Sequence, residues 1–133
     1  MWLGARYLPP CAFDVPWSDQ IVYGLVLIGL VLDFSGFFAF RRDRTTINPL
    51  RPGTTSTLVC HGIYRYTRNP MYLGLLCFLT AWAVHLAQWQ AFLGLPLFVA
   101  LLTRLQILPE ERILTAKFGP LYTNYCERVR RWI

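Results

Sequence analysis

The chain has few charged side chains and few groups that bind metals. Charged residues make up 15% of its 133 residues and hydrophobic residues 55%. No Asp, Glu, Lys or Arg occurs between residues 69 and 103. Two histidines, and four cysteines without paired spacing, argue against a metal site. Residues 1–16 have no continuous apolar core, which argues against a signal peptide. An ordinary soluble domain is less apolar than this.

The apolar stretches have the length of membrane spans. A hydrocarbon core of about 30 Å requires about 20 helical residues, so the stretch 69–103 accommodates two short spans. The polar residues 85–90 mark the turn between them, and another apolar run precedes residue 41. A buried helical hairpin of a soluble protein produces a similar pattern, but three such runs in so short a chain favour a membrane. We predict one all-α integral membrane domain over residues 1–133, with spans at about 20–40, 70–86 and 90–108, a cytoplasmic loop 41–69 and an amphipathic helical tail 109–133.

The basic residues orient these spans. They concentrate in the loop 41–69 and in or after the last turn of the third span, whereas the turn 85–90 has none. The positive-inside rule therefore places the loop and the tail in the cytoplasm and the N-terminus outside. This topology, together with anionic lipid headgroups, accounts for the net charge of +6. Nucleic-acid binding requires a basic surface with an element that reads the bases, and the sequence contains nothing of that kind.

Basic, aromatic and acidic residues cluster at the two predicted cytoplasmic boundaries. The second span is preceded by Tyr64-Arg65-x-x-Arg68-Asn69-Pro70 and begins with Pro70-x-Tyr72-x-Gly74. After the third span come Glu110-Glu111 and then Phe118-Gly119-x-x-Tyr122-x-x-Tyr125. Because both boundaries lie on the same side of the membrane, these groups can converge on one polar ligand.

This combination, with Thr45-Thr46-Ile47-Asn48-Pro49 upstream, resembles small bacterial members of the isoprenylcysteine carboxyl methyltransferase and phospholipid methyltransferase superfamily. The resemblance implies a multi-pass protein of the bacterial inner membrane, with a cytoplasmic C-terminus. It also implies methyl transfer from S-adenosylmethionine to a lipid-like, isoprenylcysteine-like or small thiol or amine acceptor. Two features depart from the common pattern. Asn69 stands where many members have His, and the N-terminus is short for a family whose members usually carry one more span before the segment that begins near Trp17.

The resemblance also implies roles for individual residues. Arginine suits the cofactor's carboxylate, glutamate its ammonium or ribose, and tyrosine faces its sulfonium. Arg65 and Glu111 are the catalytic candidates: Arg65, with Tyr64, faces the acceptor or a lid formed by the loop, and Glu111 accepts a proton where the acceptor must lose one. The implied cofactor pocket consists of Tyr64, Arg68, Asn69, Pro70, Tyr72, Glu110 and Glu111.

Each of these residues also has a structural explanation. The arginines can anchor a span at the interface, the tyrosines can form an aromatic belt, and paired glutamates favour the first turn of any helix. For the whole protein, two other functions stay open. One is a reductase related to membrane sterol reductases, and the other is a non-catalytic membrane subunit that retains the fold.

Three further predictions concern local structure. Pro109 suits a helix start, Gly119 a C-terminal cap and Pro120 the start of another helix. Asp33, inside the first span, either contacts the substrate or a site arginine, or packs between spans as a protonated or hydrogen-bonded group. The apolar face of the tail is predicted to comprise Leu114, Phe118, Leu121, Tyr122, Tyr125, Val129 and Trp132.

Overall fold

The computed structural model describes residues 16–43 and 57–133, and within these ranges it is helical and contains no strand. The all-α class is therefore confirmed for this part of the chain. The sequence 45–49 and most of the predicted lid lie outside the described residues. The elements are α1 (Ser18–Arg42), a 3-10 helix (Gly62–Arg65), α2 (Pro70–His85), α3 (Trp89–Phe92), α4 (Gly94–Leu102), a π-helical turn (Thr103–Ile107), α5 (Leu108–Phe118) and α6 (Pro120–Arg128).

Helices α1 and α2 pack closely as an antiparallel hairpin. Gly74 lies against the Gly29 carbonyl and the Asp33 carboxyl group, and a Cβ at Gly74 would come within 2.9 Å of the Gly29 oxygen. Gly29 in turn faces the ring of Phe78. Small residues at these points let two backbones approach closely, which is how apolar helices associate where burial of apolar surface supplies little driving force.

Two helical stretches are long and apolar enough to cross a membrane. One is α1, and the other runs from α3 to α5 over Trp89–Phe118; α2 is apolar but has only 16 residues. In each of these two stretches, only 11% of the most apolar 18-residue segment is buried inside the protein. The core helix of a soluble protein, by contrast, would be mostly buried. Both stretches therefore expose most of their apolar surface.

The prediction that a helix starts at Pro109 agrees with the structure to within one residue, because α5 begins at Leu108 and has Pro109 in its first turn. Helical structure continues from α4 through the π-helical turn into α5, which begins at Leu108. Proline has no N–H for the carbonyl four residues earlier and its ring crowds that carbonyl. A π-helical turn just before Pro109 widens the helix at this point, and the helix continues instead of ending. Residues 109–118 therefore extend the third apolar stretch.

The tail folds back on the segment before α2. Gly119, at φ +54°, ends α5, and Pro120 opens α6, as the sequence predicts. Tyr122 and Tyr125 are buried in a cluster with Val129, to which Leu114, Phe118 and Leu58 add partly buried side chains. Leu121 does not belong to this face, because 69% of it is exposed.

Asp33 takes part in no ion pair with a described residue. Its Oδ1 is buried beside Gly74 without a hydrogen-bond partner in the part of the chain that the structure describes. The predicted contact with a site arginine is therefore not formed here, and the side chain lies between the two hairpin helices.

Candidate functional site

Side chains from the first turns of α2 and α5 meet. The Tyr72 hydroxyl donates a hydrogen bond to Glu110 Oε1 at 2.8 Å, and the Gln106 amide donates to the same oxygen at 2.6 Å. Pro70, at the first position of α2, is fully buried below this contact. Thus the two boundary motifs, 38 positions apart at Tyr72 and Glu110, are adjacent in the fold.

Glu111 is the centre of an ion cluster. Arg68 Nη1 lies 3.1 Å from Oε1 of Glu111. Arg131 donates from Nε to Oε1 at 2.9 Å and from Nη2 to Oε2 at 2.8 Å, so its planar guanidinium grips both carboxylate oxygens. The hydrogen bond to Glu111 raises the pKa of Arg131 above its ordinary value. One carboxylate therefore joins α5, the motif before α2 and the end of the tail.

Backbone hydrogen bonds fasten the tail to the same motif. The Arg68 N–H donates to the Arg130 carbonyl at 3.1 Å. The Arg131 carbonyl accepts from Asn69 Nδ2 at 2.9 Å and from the Thr67 hydroxyl at 3.5 Å. Asn69 precedes the first residue of α2, but its side chain does not cap the helix. The amide instead holds the tail.

Tyr64 is packed in the core of the protein. Its ring stands edge-on to Phe40 with centroids 5.3 Å apart, and its hydroxyl lies near Gly36. The Tyr64 carbonyl accepts a 2.7 Å hydrogen bond from the buried hydroxyl of Tyr125. Burial raises the pKa of Tyr125, so this hydroxyl keeps its proton and remains a donor.

Arg65 faces a different space from Arg68. It lines a cleft of about 620 Å³ between the segment 57–65 and the tail. Arg128 stands on the tail side of this cleft, no acidic residue lines it, and Arg65 has no ion-pair partner among the described residues. The remaining lining residues are Thr57, Leu58, Cys60, Phe118, Leu121, Tyr125 and Val129.

A second polar contact lies at the end of α1. His61 Nε2 lies 2.8 and 2.9 Å from the two carboxylate oxygens of Asp43. This pair holds the chain entering the 3-10 helix against the residue that follows α1. It therefore anchors the start of the segment that carries Arg65.

The structure brings together most of the residues that the motifs singled out. Arg68, Asn69, Tyr72, Glu110 and Glu111 lie in connected hydrogen-bond networks. The sequence reasoning missed Arg131, Thr67, Gln106 and Cys126, whose Sγ lies 2.7 Å from Arg68 Nη1. Three arginines occur between residues 128 and 131, and no spacing rule indicates which of them meets Glu111.

The sequence of this chain is similar to those of known proteins. A family model described as phospholipid methyltransferase matches residues 19–120. That range includes the hairpin, the motif and both glutamates, so the chain belongs to the phospholipid methyltransferase family. An uncharacterized protein of Haemophilus influenzae is 43% identical over 63 residues, which is 47% of this chain and all of that protein. No solved structure matches the chain.

Proposed function

We propose that this protein is an integral-membrane methyltransferase that uses S-adenosylmethionine. Family membership supports a methyltransferase, and the two long apolar stretches support a membrane location. The observation that carries the proposal is that two motif residues reach the paired glutamates: Arg68 pairs with Glu111, and Tyr72 donates a hydrogen bond to Glu110. An aromatic belt or a set of interfacial anchors does not require such convergence.

The side chains of this cluster fit the amino-acid end of the cofactor. Arg68 Nε is buried without a hydrogen-bond partner among the described residues, and a carboxylate would satisfy it. The Glu111 carboxylate suits an ammonium, and the Asn69 amide supplies a further donor. Arg68, Asn69 and Glu111 would hold that end, with Tyr72 and Glu110 beside them.

Bound S-adenosylmethionine supplies an electrophilic methyl group, so the protein contributes mainly position and exclusion of water. Arg68 and Glu111 would orient the methyl donor in the site. Both Glu111 oxygens accept hydrogen bonds from arginine, which favours a binding role over that of a proton acceptor. A carboxylate or thiolate acceptor needs no such base, whereas a neutral amine or thiol must lose its proton by another route.

The cleft beside Arg65 is the acceptor side in this proposal. Among the described lining residues no acid compensates its two arginines, and the rest are largely apolar or aromatic. An acceptor with a negative group next to an apolar portion complements such a wall. Arg65 then positions the acceptor and does not take part in proton transfer.

The membrane topology is also part of the proposal. The end of the helices that carries the site also carries Arg41, Arg42 and the basic tail, and under the positive-inside rule these charges support a cytoplasmic location for the site. A membrane-impermeant maleimide should label an engineered cysteine at Gln88 from outside and miss one at Thr57. The opposite labelling pattern would reverse the topology.

The direct test of the function is binding of S-adenosylmethionine to the purified protein in detergent. Glu111→Ala should weaken binding by roughly ten- to a hundredfold, the usual effect of losing a charged hydrogen-bond partner. Arg68→Ala should act in the same direction. Glu127→Ala is the matched control, because Glu127 is exposed on the same tail and should leave the affinity unchanged.

The alternatives predict other results. Binding of NADPH in place of S-adenosylmethionine would identify a reductase, and binding of neither would favour a non-catalytic subunit. Product profiling of lipids and small thiols or amines in expressing cells would then identify the methyl acceptor.

A further inference from the structure

One residue of the tail, Arg131, forms hydrogen bonds with both the acidic and the amide group of the proposed cofactor subsite. The Arg131 guanidinium takes up the two oxygens of Glu111, and the Arg131 carbonyl takes up the Asn69 amide. These are the two groups assigned above to the cofactor's ammonium and to its oxygen atoms. A ligand that uses either group competes with Arg131.

The three members of the ion cluster differ in their access to solvent. The side chains of Arg68 and Glu111 are 12% and 17% exposed, whereas that of Arg131 is 34% exposed. Charged groups pay a large desolvation cost when buried, so the outermost charge returns to water most readily. Arg131 lies in residues 129–133, beyond the last helix, whereas α5 holds Glu111.

Replacement of Arg131 by the cofactor would leave every charge of the cluster paired. An ammonium in place of the guanidinium gives Glu111 a second cation beside Arg68, which stays in contact with it. A ligand carboxylate would also satisfy Arg68 Nε, which has no hydrogen-bond partner among the described residues. When the cofactor replaces Arg131, the buried Arg68 Nε therefore gains the hydrogen-bond acceptor that it lacks while Arg131 is in place.

From these contacts we propose that Arg131 is a latch: it occupies the amino-acid subsite and must leave Glu111 before S-adenosylmethionine binds. This inference rests on the proposed function. A site that is open only part of the time binds its ligand with an affinity reduced by the open fraction. Arg131 therefore lowers the affinity for the cofactor, the opposite of what an arginine in the pocket wall would do.

The test compares two neighbouring arginines in the full-length protein in detergent. Arg131→Ala should lower the Kd for S-adenosylmethionine by about three- to tenfold, because the open fraction of the site rises. Arg130→Ala removes the same charge one position away, where the side chain is exposed, and should leave Kd unchanged. Arg131→Lys, which keeps the charge but not the two-pronged grip, should fall between wild type and Arg131→Ala.

Hydrogen exchange in the wild-type protein gives an independent readout that needs no variant. Saturating S-adenosylmethionine should speed amide exchange in residues 129–133 if the latch opens. Slower exchange there, or weaker or equal binding by Arg131→Ala, would overturn the latch and make Arg131 part of the pocket. If neither wild type nor Arg131→Ala binds the cofactor, the proposed function fails as well, whereas binding by Arg131→Ala alone supports both.

Discussion

The helical hairpin and the polar end of the molecule are held together by different forces. Between α1 and α2 the contacts are close backbone approaches at Gly29 and Gly74, with few hydrogen bonds between side chains. At the polar end, Glu111 and Tyr125 join distant segments by hydrogen bonds of 2.7–2.9 Å. The hairpin needs small residues at fixed points, and the polar end needs particular functional groups.

The difference indicates how each region responds to substitution. An apolar side chain on the exposed face of a helix can be exchanged for another apolar one, because few protein atoms pack against it. A hydrogen-bonded cluster loses a partner with almost any exchange, and the group left behind stays buried and unsatisfied. A substitution in the hairpin should therefore lower stability when the new side chain is too large for the space between the helices. A substitution at the polar end should lower stability when it leaves a buried group without a hydrogen-bond partner.

The largest effect is expected at Gly74. Gly74→Val should lower the free energy of unfolding by about 2–3 kcal/mol, because the new Cβ meets the Gly29 backbone, which cannot move aside. Gly24→Val is the matched control, since a Cβ at Gly24 contacts nothing within 4 Å. Thermal unfolding in detergent measures both. Equal melting temperatures would show that close helix approach does not hold the hairpin.

An intermediate effect is expected at Tyr125. Tyr125→Phe removes the donor to the Tyr64 carbonyl and leaves a buried oxygen unsatisfied, at a cost of about 1.5 kcal/mol. Tyr66→Phe removes the same hydroxyl from a side chain that is 75% exposed and should change stability little. Chemical unfolding curves of the two variants test this. A loss no larger than that of Tyr66→Phe would mean that the tail does not depend on this bond.

The smallest effect is expected at Asn69. Asn69→Asp keeps the shape but cannot donate to the Arg131 carbonyl, so it should cost about 1 kcal/mol. Asn69→His retains a donor and should cost less. Asn124→Asp, on the exposed surface of α6, controls for the added charge. If Asn69→Asp is as stable as this control, the amide does not fasten the tail.

The helices were largely predictable, because long uncharged runs and their proline and glycine boundaries are local signals. The turn at residues 85–90, the start of α2 at Pro70 and the end of α5 at Gly119 all agree with the structure. Pro109 was read as a helix start, and α5 does begin at Leu108, but the sequence did not show that this helix continues directly from a π-helical turn. The effect of Pro109 depends on whether the preceding turn can become π-helical.

The site was predictable only as a set of residue types. The spacing of Arg68, Asn69 and Tyr72 marks one boundary and Glu110–Glu111 the other, and charge placement indicates that the two share a face. Which arginine pairs with Glu111 was not predictable, because Arg128, Arg130 and Arg131 are equivalent by composition. The geometry of the tail after Gly119 brings Arg131, and not its neighbours, to the carboxylate.

The sequence by itself determined the helical class, the helix boundaries and the chemical inventory of the site, since hydrophobic runs, prolines and charges act over a few residues. Only the tertiary structure decided that Arg68 faces Glu111 while Arg65 lines a separate cleft. These two arginines are three positions apart, with the end of the 3-10 helix between them. Side chains that leave such a bend point in different directions, and what each meets depends on how a tail about 60 residues away folds back.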